Sequence, residues 1–73
     1  MIKFTIEQAR MMSGLSQKEM SEKLGCSEST YVQYEKYRRV FRMDMAHKFC
    51  ETTKINPSDI IFFDKKYGKS VVS

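Results

Sequence analysis

The sequence SQKEMSEKLGCSESTYVQYEK, residues 16–36, contains two short helical patterns separated by a sharp break. Ser16 and Glu19 have the spacing of a capping box, which predicts that a helix begins at the residue after the serine. Gly25 supplies the left-handed backbone conformation in which helices commonly end. Ser27 can cap a second helix almost at once, so the connecting turn has about three residues. Because two helices joined so tightly must cross steeply, we predict a helix-turn-helix.

The second of these helices has two unlike faces when its residues are placed at intervals of about 100°. Tyr31 and Tyr34 lie on one face together with Glu35, and the opposite face is polar. Hydrogen-bond donors and acceptors on an exposed helix face suit contacts with base edges in the major groove of DNA. An ordinary solvated face is the alternative, but the tight turn before the helix and the basic loop after it favour DNA. The predicted base-contacting residues are Glu28, Ser29, Thr30, Val32 and Gln33.

Among these residues, Gln33 is the one on which we expect sequence preference to depend most, because its amide can pair with a base edge. Val32 can meet the methyl group of a thymine. The sequence leaves two interpretations of Glu28 open. Its carboxylate can accept a hydrogen bond from cytosine N4, or it can simply stabilise the positive end of the helix dipole.

The loop KYRRVFR, residues 36–42, carries four cations and no acidic residue. Such a run is often only a solvated loop, but directly after a recognition helix it is well placed to bind the phosphate backbone. Each phosphate that is neutralised adds about 0.9 to the slope of log affinity against log salt concentration, so binding should be salt-sensitive. The residues predicted to contact phosphate are Lys36, Arg38, Arg39 and Arg42 in this loop, and Ser27 before the second helix.

The spacing of the segment resembles the helix-turn-helix of the lambda repressor and Cro family, also called the xenobiotic-response-element type. The resemblance extends from about Thr5 to Phe63, and its matching positions are Gln17, Glu19, Met20, Gly25, Ser27, Thr30, Tyr31 and Glu35. It implies that Gln17 contacts a phosphate and also supports the recognition helix. Tyr37 and Lys54 depart from the family pattern, since both stand where glycine is common. The two helix ends at these positions, and the path of the loop after the first, are therefore not fixed by the resemblance.

Arg10 and Glu35 are predicted to form a partly buried ion pair. Arg10 shares the inner face of the first helix with apolar residues, and Glu35 holds a similar place beside the two tyrosines of the recognition helix. Two independent surface charges are the alternative. The family resemblance implies the same pair, which would join the first helix to the recognition helix.

The expected fold is all-α, a compact five-helix bundle in a single domain. The helices are predicted at residues 6–12, 17–24, 28–36, 44–53 and 57–63. Thr5 with Gln8 forms a capping box before the first helix, and Asn56 followed by Pro57 is a strong start signal for the last. Residues 1–4 should form an arm or a strand, and the tail, residues 64–73, has the same two interpretations.

The run Ile60-Ile61-Phe62-Phe63 cannot turn all of its side chains inward from one helical turn. Phe62 or Phe63, together with Phe41, should therefore remain exposed or meet a partner. The family resemblance implies dimerisation around the last helix, so we predict a weak homodimer through Phe41 and residues 60–63, with a monomer as the alternative. Such a dimer would match the approximate twofold symmetry of duplex operators.

The 73 residues carry a net charge of +4 and a pI near 9.2, which favours an anionic partner. The apolar run 60–63 is far too short to span a bilayer, and the N-terminus lacks the apolar core of a signal peptide. We therefore expect a cytoplasmic, nucleoid-associated protein with reduced cysteines, no membrane contact and no small-molecule substrate. His47, Cys26 and Cys50 lack zinc-site spacing, so no metal and no cofactor are predicted.

The predicted function is a sequence-specific regulator of transcription that binds a double-stranded DNA operator, like the Cro regulators of phages and mobile elements. A protein-interaction module or antitoxin is the alternative, in which Tyr31, Tyr34 and Phe62 form a docking surface. Steep weakening with salt would favour DNA binding over apolar docking. An enzyme is disfavoured because the sequence has one histidine, no glycine-rich phosphate loop and no paired carboxylates in an apolar setting.

Overall fold

A computed structural model describes residues 3–63 of the chain. Within this range there are four α-helices, two short strands and one turn of 3₁₀ helix. In chain order they are β1 (Phe4–Thr5), α1 (Ile6–Met12), α2 (Gln17–Leu24), α3 (Glu28–Glu35), α4 (Met43–Thr53), the 3₁₀ turn (Pro57–Asp59) and β2 (Ile60–Ile61). The predicted tail, residues 64–73, lies outside the described residues. No helix between residues 3 and 63 combines the length and the hydropathy needed to cross a membrane.

The capping signals of the first two helices form as their spacing predicts. Thr5 accepts a hydrogen bond from the backbone N–H of Gln8, and the Gln8 side chain accepts one from the backbone N–H of Thr5, each at 3.0 Å. Ser16 and Glu19 form the same reciprocal pair at the start of α2. These contacts satisfy backbone donors that a helix start would otherwise leave unpaired.

The sharp turn between α2 and α3 depends on Gly25, which has a φ of 79°. The N–H of Gly25 donates to the carbonyl of Glu22 at 3.2 Å, and the N–H of Cys26 donates to the carbonyl of Ser21 at 3.0 Å. This is the Schellman arrangement, which closes a helix and turns the chain away from its axis. Ser27 then caps α3.

The core is formed where the four helices meet. α2 packs against α3 and α4, while α1 packs against α3, α4 and both strands. The buried apolar residues are Ile6, Ala9, Met20, Leu24, Tyr31, Tyr34, Phe41, Phe49 and Ile60. Ser21 is the buried polar residue among residues 3–63, and its hydroxyl donates to the carbonyl of Lys18, one turn back, at 2.7 Å.

The prediction of a fifth helix at residues 57–63 is wrong. Asn56 does cap a helical turn, since its side chain accepts from the N–H of Ser58 at 3.2 Å, but the turn ends at Asp59. The chain then extends, and β2 pairs in parallel with β1, with Phe4 opposite Ile60. An extended segment turns alternate side chains to opposite sides, and β-branched isoleucines favour it. The fold is therefore mostly helical with a two-stranded sheet, rather than all-α with five helices.

The prediction that Phe41 is exposed or meets a partner is also wrong. Phe41 is only 8% exposed, and its ring centroid lies 4.5 Å from that of Tyr34, 5.3 Å from Phe49 and 5.9 Å from Phe62. These offset and edge contacts bury the ring inside the monomer. Phe41 itself therefore offers almost no surface through which a homodimer could form. Phe63, in contrast, is 64% exposed.

Candidate nucleic-acid interface

The orientation of α3 separates its tyrosines from its polar residues. Tyr31 and Tyr34 are 0% and 5% exposed and lie in the core. The interpretation in which both tyrosines belong to a docking surface is therefore wrong. Of the predicted base-contacting residues, Glu28 and Ser29 are exposed, and Thr30, Val32 and Gln33 are half-buried at the helix surface.

The start of α3 is fixed by a small group of hydroxyls. The Ser27 Oγ accepts from the N–H of Thr30 at 3.2 Å and donates to Thr30 Oγ1 at 2.9 Å. Ser29 Oγ lies 3.3 Å from Ser27 Oγ. The Ser27 hydroxyl is thus occupied as a helix cap, whereas the side chains of Glu28 and Gln33 have no hydrogen bond to another residue in the 3–63 range. These two side chains are available to a ligand.

A buried polar network attaches α3 to the two helices before it. Arg10 Nε donates to Glu35 Oε2, and the Gln17 Nε2 donates to Glu35 Oε1 at 2.8 Å. Arg10 also donates through Nη1 to the carbonyl of Leu15 at 2.8 Å. The side chains of Arg10 and Glu35 are only 11% and 5% exposed. The predicted ion pair is therefore present in the structure, and Gln17 completes it from the start of α2.

Within this network the positive charge of Arg10 is balanced by the negative charge of Glu35. Burial alone would lower the pKa of Arg10, but the hydrogen bond and the negative charge of Glu35 outweigh it and raise that pKa. The guanidinium therefore stays charged. Gln17 uses one N–H of its amide for Glu35, so any phosphate contact by this side chain must use the other N–H.

The hydroxyl of Tyr31 lies against this network. It is buried, and no described residue offers it a partner in hydrogen-bond geometry. Burial raises the pKa of Tyr31 far above its usual range, and the neighbouring Glu35 carboxylate raises it further, against the opposing effect of Arg10. The hydroxyl is thus near enough to feel the charge of the carboxylate without a well-formed hydrogen bond to it.

Helix α3 ends at Glu35, although no glycine follows it. Tyr37 adopts a left-handed conformation with a φ of 60°. Its N–H donates to the carbonyl of Tyr34 at 3.0 Å, and the N–H of Arg38 donates to the carbonyl of Gln33 at 2.9 Å. These are the two bonds of a Schellman motif, with tyrosine in the place that glycine normally occupies.

The cations of the basic loop lie at the surface beside α3. Lys36, Arg38, Arg39 and Arg42 are all exposed. Arg42 differs from the others because its Nε lies 3.7 Å from Asp44 Oδ1, in a pair that is itself exposed. The acidic neighbour partly offsets the charge of Arg42, so Lys36, Arg38 and Arg39 are the more strongly cationic part of the loop.

Cys26, Cys50 and His47 do not form a metal-binding cluster in the described part of the chain. Cys26 and Cys50 are free, half-buried thiols packed against the core, and burial raises the pKa of each. His47 Nε2 lies 3.3 Å from Glu51 Oε2 on the exposed side of α4. Between residues 3 and 63 no cluster of three histidine, cysteine or acidic side chains is placed to hold a metal ion.

Tyr37 is the residue at this interface whose role the sequence analysis missed. Its hydroxyl donates to the carbonyl of Ile61 at 2.6 Å and accepts from the N–H of Ile6 at 3.3 Å. The sequence did offer one signal of its importance, a tyrosine at a position where the family commonly has glycine. That signal indicated an unusual helix end, but it did not indicate a contact with the strands.

Comparison with known families matches residues 6–60 to a family described as helix-turn-helix. The matched range begins with α1 and ends at the first residue of β2, so it includes the turn, α3 and the basic loop. Comparison with curated proteins and with solved structures finds no match.

Proposed function

The chain belongs to the lambda repressor/Cro-type helix-turn-helix family of DNA-binding regulators, and we propose that it is a sequence-specific, Cro-like regulator of transcription. In this proposal α3 enters the major groove of an operator and α2 lies across the backbone, as is usual for this motif. The protein would act on the nucleoid, in the cytoplasm, without a small-molecule substrate or cofactor.

One observation carries the proposal: the polar side of α3 is accessible and flanked by cations, while its apolar side is buried. The side chains of Glu28 and Gln33 make no hydrogen bond to another described residue. Tyr31 and Tyr34 hold the opposite side of the helix in the core. We propose that Glu28, Ser29, Thr30, Val32 and Gln33 contact bases. Gln33 would carry the largest share of sequence preference, through two hydrogen bonds to one base.

Phosphate contacts would come from both sides of α3. We propose that Lys36, Arg38, Arg39 and Arg42 bind one stretch of backbone, with Arg42 the weakest because of Asp44. On the other side, the second amide N–H of Gln17 can donate to a phosphate oxygen. The backbone N–H groups at the start of α2, and those at the start of α3 next to Ser27, can do the same. These contacts fix the position of the protein on the duplex and do not select its sequence.

The test is a selection of bound duplexes from a random pool at low salt, repeated with Gln33→Ala. The proposal predicts enrichment of one motif. Gln33→Ala should lower affinity about 5- to 150-fold at one or two base pairs while leaving non-specific affinity unchanged. If the protein binds as a weak homodimer, the enriched motif will be a palindrome whose half-sites lie about 34 Å apart, and a monomer will select a single half-site.

Arg39→Gln is the matched control, because it removes a charge beside α3 without touching the base-contacting face. It should weaken binding to all sequences equally and reduce the salt slope by about 0.9. A pool that shows no enrichment at low salt, with a folded protein, would overturn the assignment. Equal loss at every base pair in Gln33→Ala would remove Gln33 from the specificity determinants.

A further inference from the structure

Tyr37 lies where the recognition helix passes into the basic loop. Its φ of 60° is a conformation that a tyrosine adopts at an energetic cost and that a glycine adopts freely. The hydrogen bonds of the helix end would form equally well with glycine at this position. Some other contact of the tyrosine must therefore favour the side chain that is present.

That contact is made by the phenolic hydroxyl. It donates to the carbonyl of Ile61, in β2, at 2.6 Å, and it accepts from the N–H of Ile6, the first residue of α1, at 3.3 Å. The ring also lines a groove of about 670 Å³ together with Ile60 and Phe62. One side chain thus joins the end of α3 to the first helix and to the two-stranded sheet.

The exposed part of the basic loop is short and is held at both ends. Arg38, Arg39 and Val40 are exposed. Phe41, which follows them, is 8% exposed and packs against three aromatic rings, those of Tyr34, Phe49 and Phe62. Tyr37 fixes the chain immediately before the two arginines, and Phe41 fixes it three residues after Arg38. A loop whose ends are already fixed loses less conformational entropy when its side chains bind a ligand.

We propose that Tyr37 is a positioning residue for DNA binding: through its hydroxyl it holds Arg38 and Arg39 where they can bind phosphate. This inference rests on the proposed DNA-binding function. Tyr37 itself need not touch the DNA. Its hydroxyl acts on the backbone that carries the two arginines, so its contribution must disappear when their charges are removed.

The test compares Tyr37→Phe with the unaltered protein on the duplex enriched by the selection, at a temperature at which both are fully folded by circular dichroism. Phenylalanine keeps the ring and removes only the hydroxyl. Affinity should fall about three- to tenfold, the loss expected when one or two side chains must be ordered on binding. Sequence preference should not change.

Tyr34→Phe is the matched control, since it removes a tyrosine hydroxyl from the last turn of α3, three residues before Tyr37. The Tyr34 hydroxyl donates to the sulfur of Met45, at 3.5 Å, and has no hydrogen bond to the basic loop among residues 3–63. Its removal should leave DNA affinity within about twofold. If Tyr37→Phe melts too near the assay temperature, both tyrosine variants are compared in a Lys54→Gly background, which we expect to be more stable.

A double-mutant cycle separates positioning from a general structural role. Tyr37→Phe is combined with Arg38→Gln and Arg39→Gln, and in that background it should no longer change affinity. Additive losses would overturn the inference, as would an unchanged affinity of Tyr37→Phe in the otherwise unaltered protein. A folded, unaltered protein that binds no duplex would instead overturn the proposed function, and this inference with it.

Discussion

Replacing Glu35 with alanine should destabilise this domain more than replacing any exposed residue. The Glu35 side chain is 5% exposed and accepts hydrogen bonds from both Arg10 and Gln17. In Glu35→Ala the guanidinium of Arg10 stays buried, with the carbonyl of Leu15 as its remaining hydrogen-bond partner. A buried charge without a counter-charge is strongly unfavourable.

The size of the effect follows from the burial of both partners. Breaking a buried ion pair by removing one member costs about 3–5 kcal/mol. A domain of 73 residues has a free energy of unfolding of about 4–11 kcal/mol. For a domain of this size each kcal/mol shifts the melting temperature by about 4–8 °C, so Glu35→Ala should lower it by at least about 12 °C.

The assay is urea and thermal unfolding followed by circular dichroism, with variants that separate charge from packing. Arg10→Met keeps most of the aliphatic packing of the side chain and removes the charge, so it should destabilise less than Arg10→Ala. A double variant, Arg10→Met with Glu35→Leu, should recover much of the stability lost in Glu35→Ala, because neither charge is then left unpaired.

Glu51→Ala provides the control, since Glu51 lies 3.3 Å from His47 with both side chains more than 60% exposed. An exposed pair of this kind contributes less than about 1 kcal/mol. If Glu35→Ala unfolds at the same urea concentration and temperature as the unaltered protein, the buried network contributes no stability and the reasoning is refuted.

Two further predictions concern unusual features of the core and of a helix end. Tyr31→Phe should keep or raise stability, by up to about 1 kcal/mol, because the hydroxyl it removes is buried without a hydrogen-bond partner among residues 3–63. Burial raises the pKa of Tyr31, so the unfolded chain ionises there near pH 10 while the folded chain does not. The free energy of unfolding should therefore decrease as the pH rises above about 10, by up to about 1.4 kcal/mol per pH unit. Urea unfolding of Tyr31→Phe should show a smaller decrease over the same pH range. Lys54→Gly should stabilise by about 0.5 kcal/mol in the same assay, because Lys54 has a φ of 60° that glycine adopts without strain. If the Tyr31 hydroxyl does form a hydrogen bond to Glu35, Tyr31→Phe will be less stable than the unaltered protein. A Lys54→Gly variant that is less stable would contradict the second prediction.

The sequence predicts the helix-turn-helix well because its signals are local. A cap, its partner three residues later and a terminating glycine all act within one or two turns of helix. Gly25 and Ser27 therefore specify the turn without help from the rest of the chain. The position of Glu35 on the inner face of α3 follows from helical periodicity in the same way.

The failure at residues 57–63 has a different cause. Asn56 and Pro57 specify how a helical turn begins, and that turn is present. Whether it continues depends on Ile60, which pairs with Phe4 at the other end of the described chain. A strand partner at that separation leaves no local signal, since the preference of isoleucine for extended structure is a weak guide by itself.

Phe41 shows the same limit within the candidate site. It lies among four cations, so its sequence surroundings indicate a surface loop. Three aromatic rings from other segments nevertheless enclose it, and burial of so large a ring outweighs the preference of its neighbours for water. The structure therefore places the cations at the surface, and Phe41 anchors the far end of their loop in the core.

The support of the proposed interface converges on α1, a helix for which no DNA contact is proposed. Arg10, in its last turn, holds Glu35 and so the recognition helix. The N–H of Ile6, at its first residue, binds the Tyr37 hydroxyl and so the start of the basic loop. The two supports are chemically independent, one a buried ion pair and the other a neutral hydrogen bond. Substitutions of Arg10 or Glu35 should therefore affect mainly the base contacts, and substitutions of Tyr37 mainly the phosphate contacts. None of these residues is itself proposed to touch DNA.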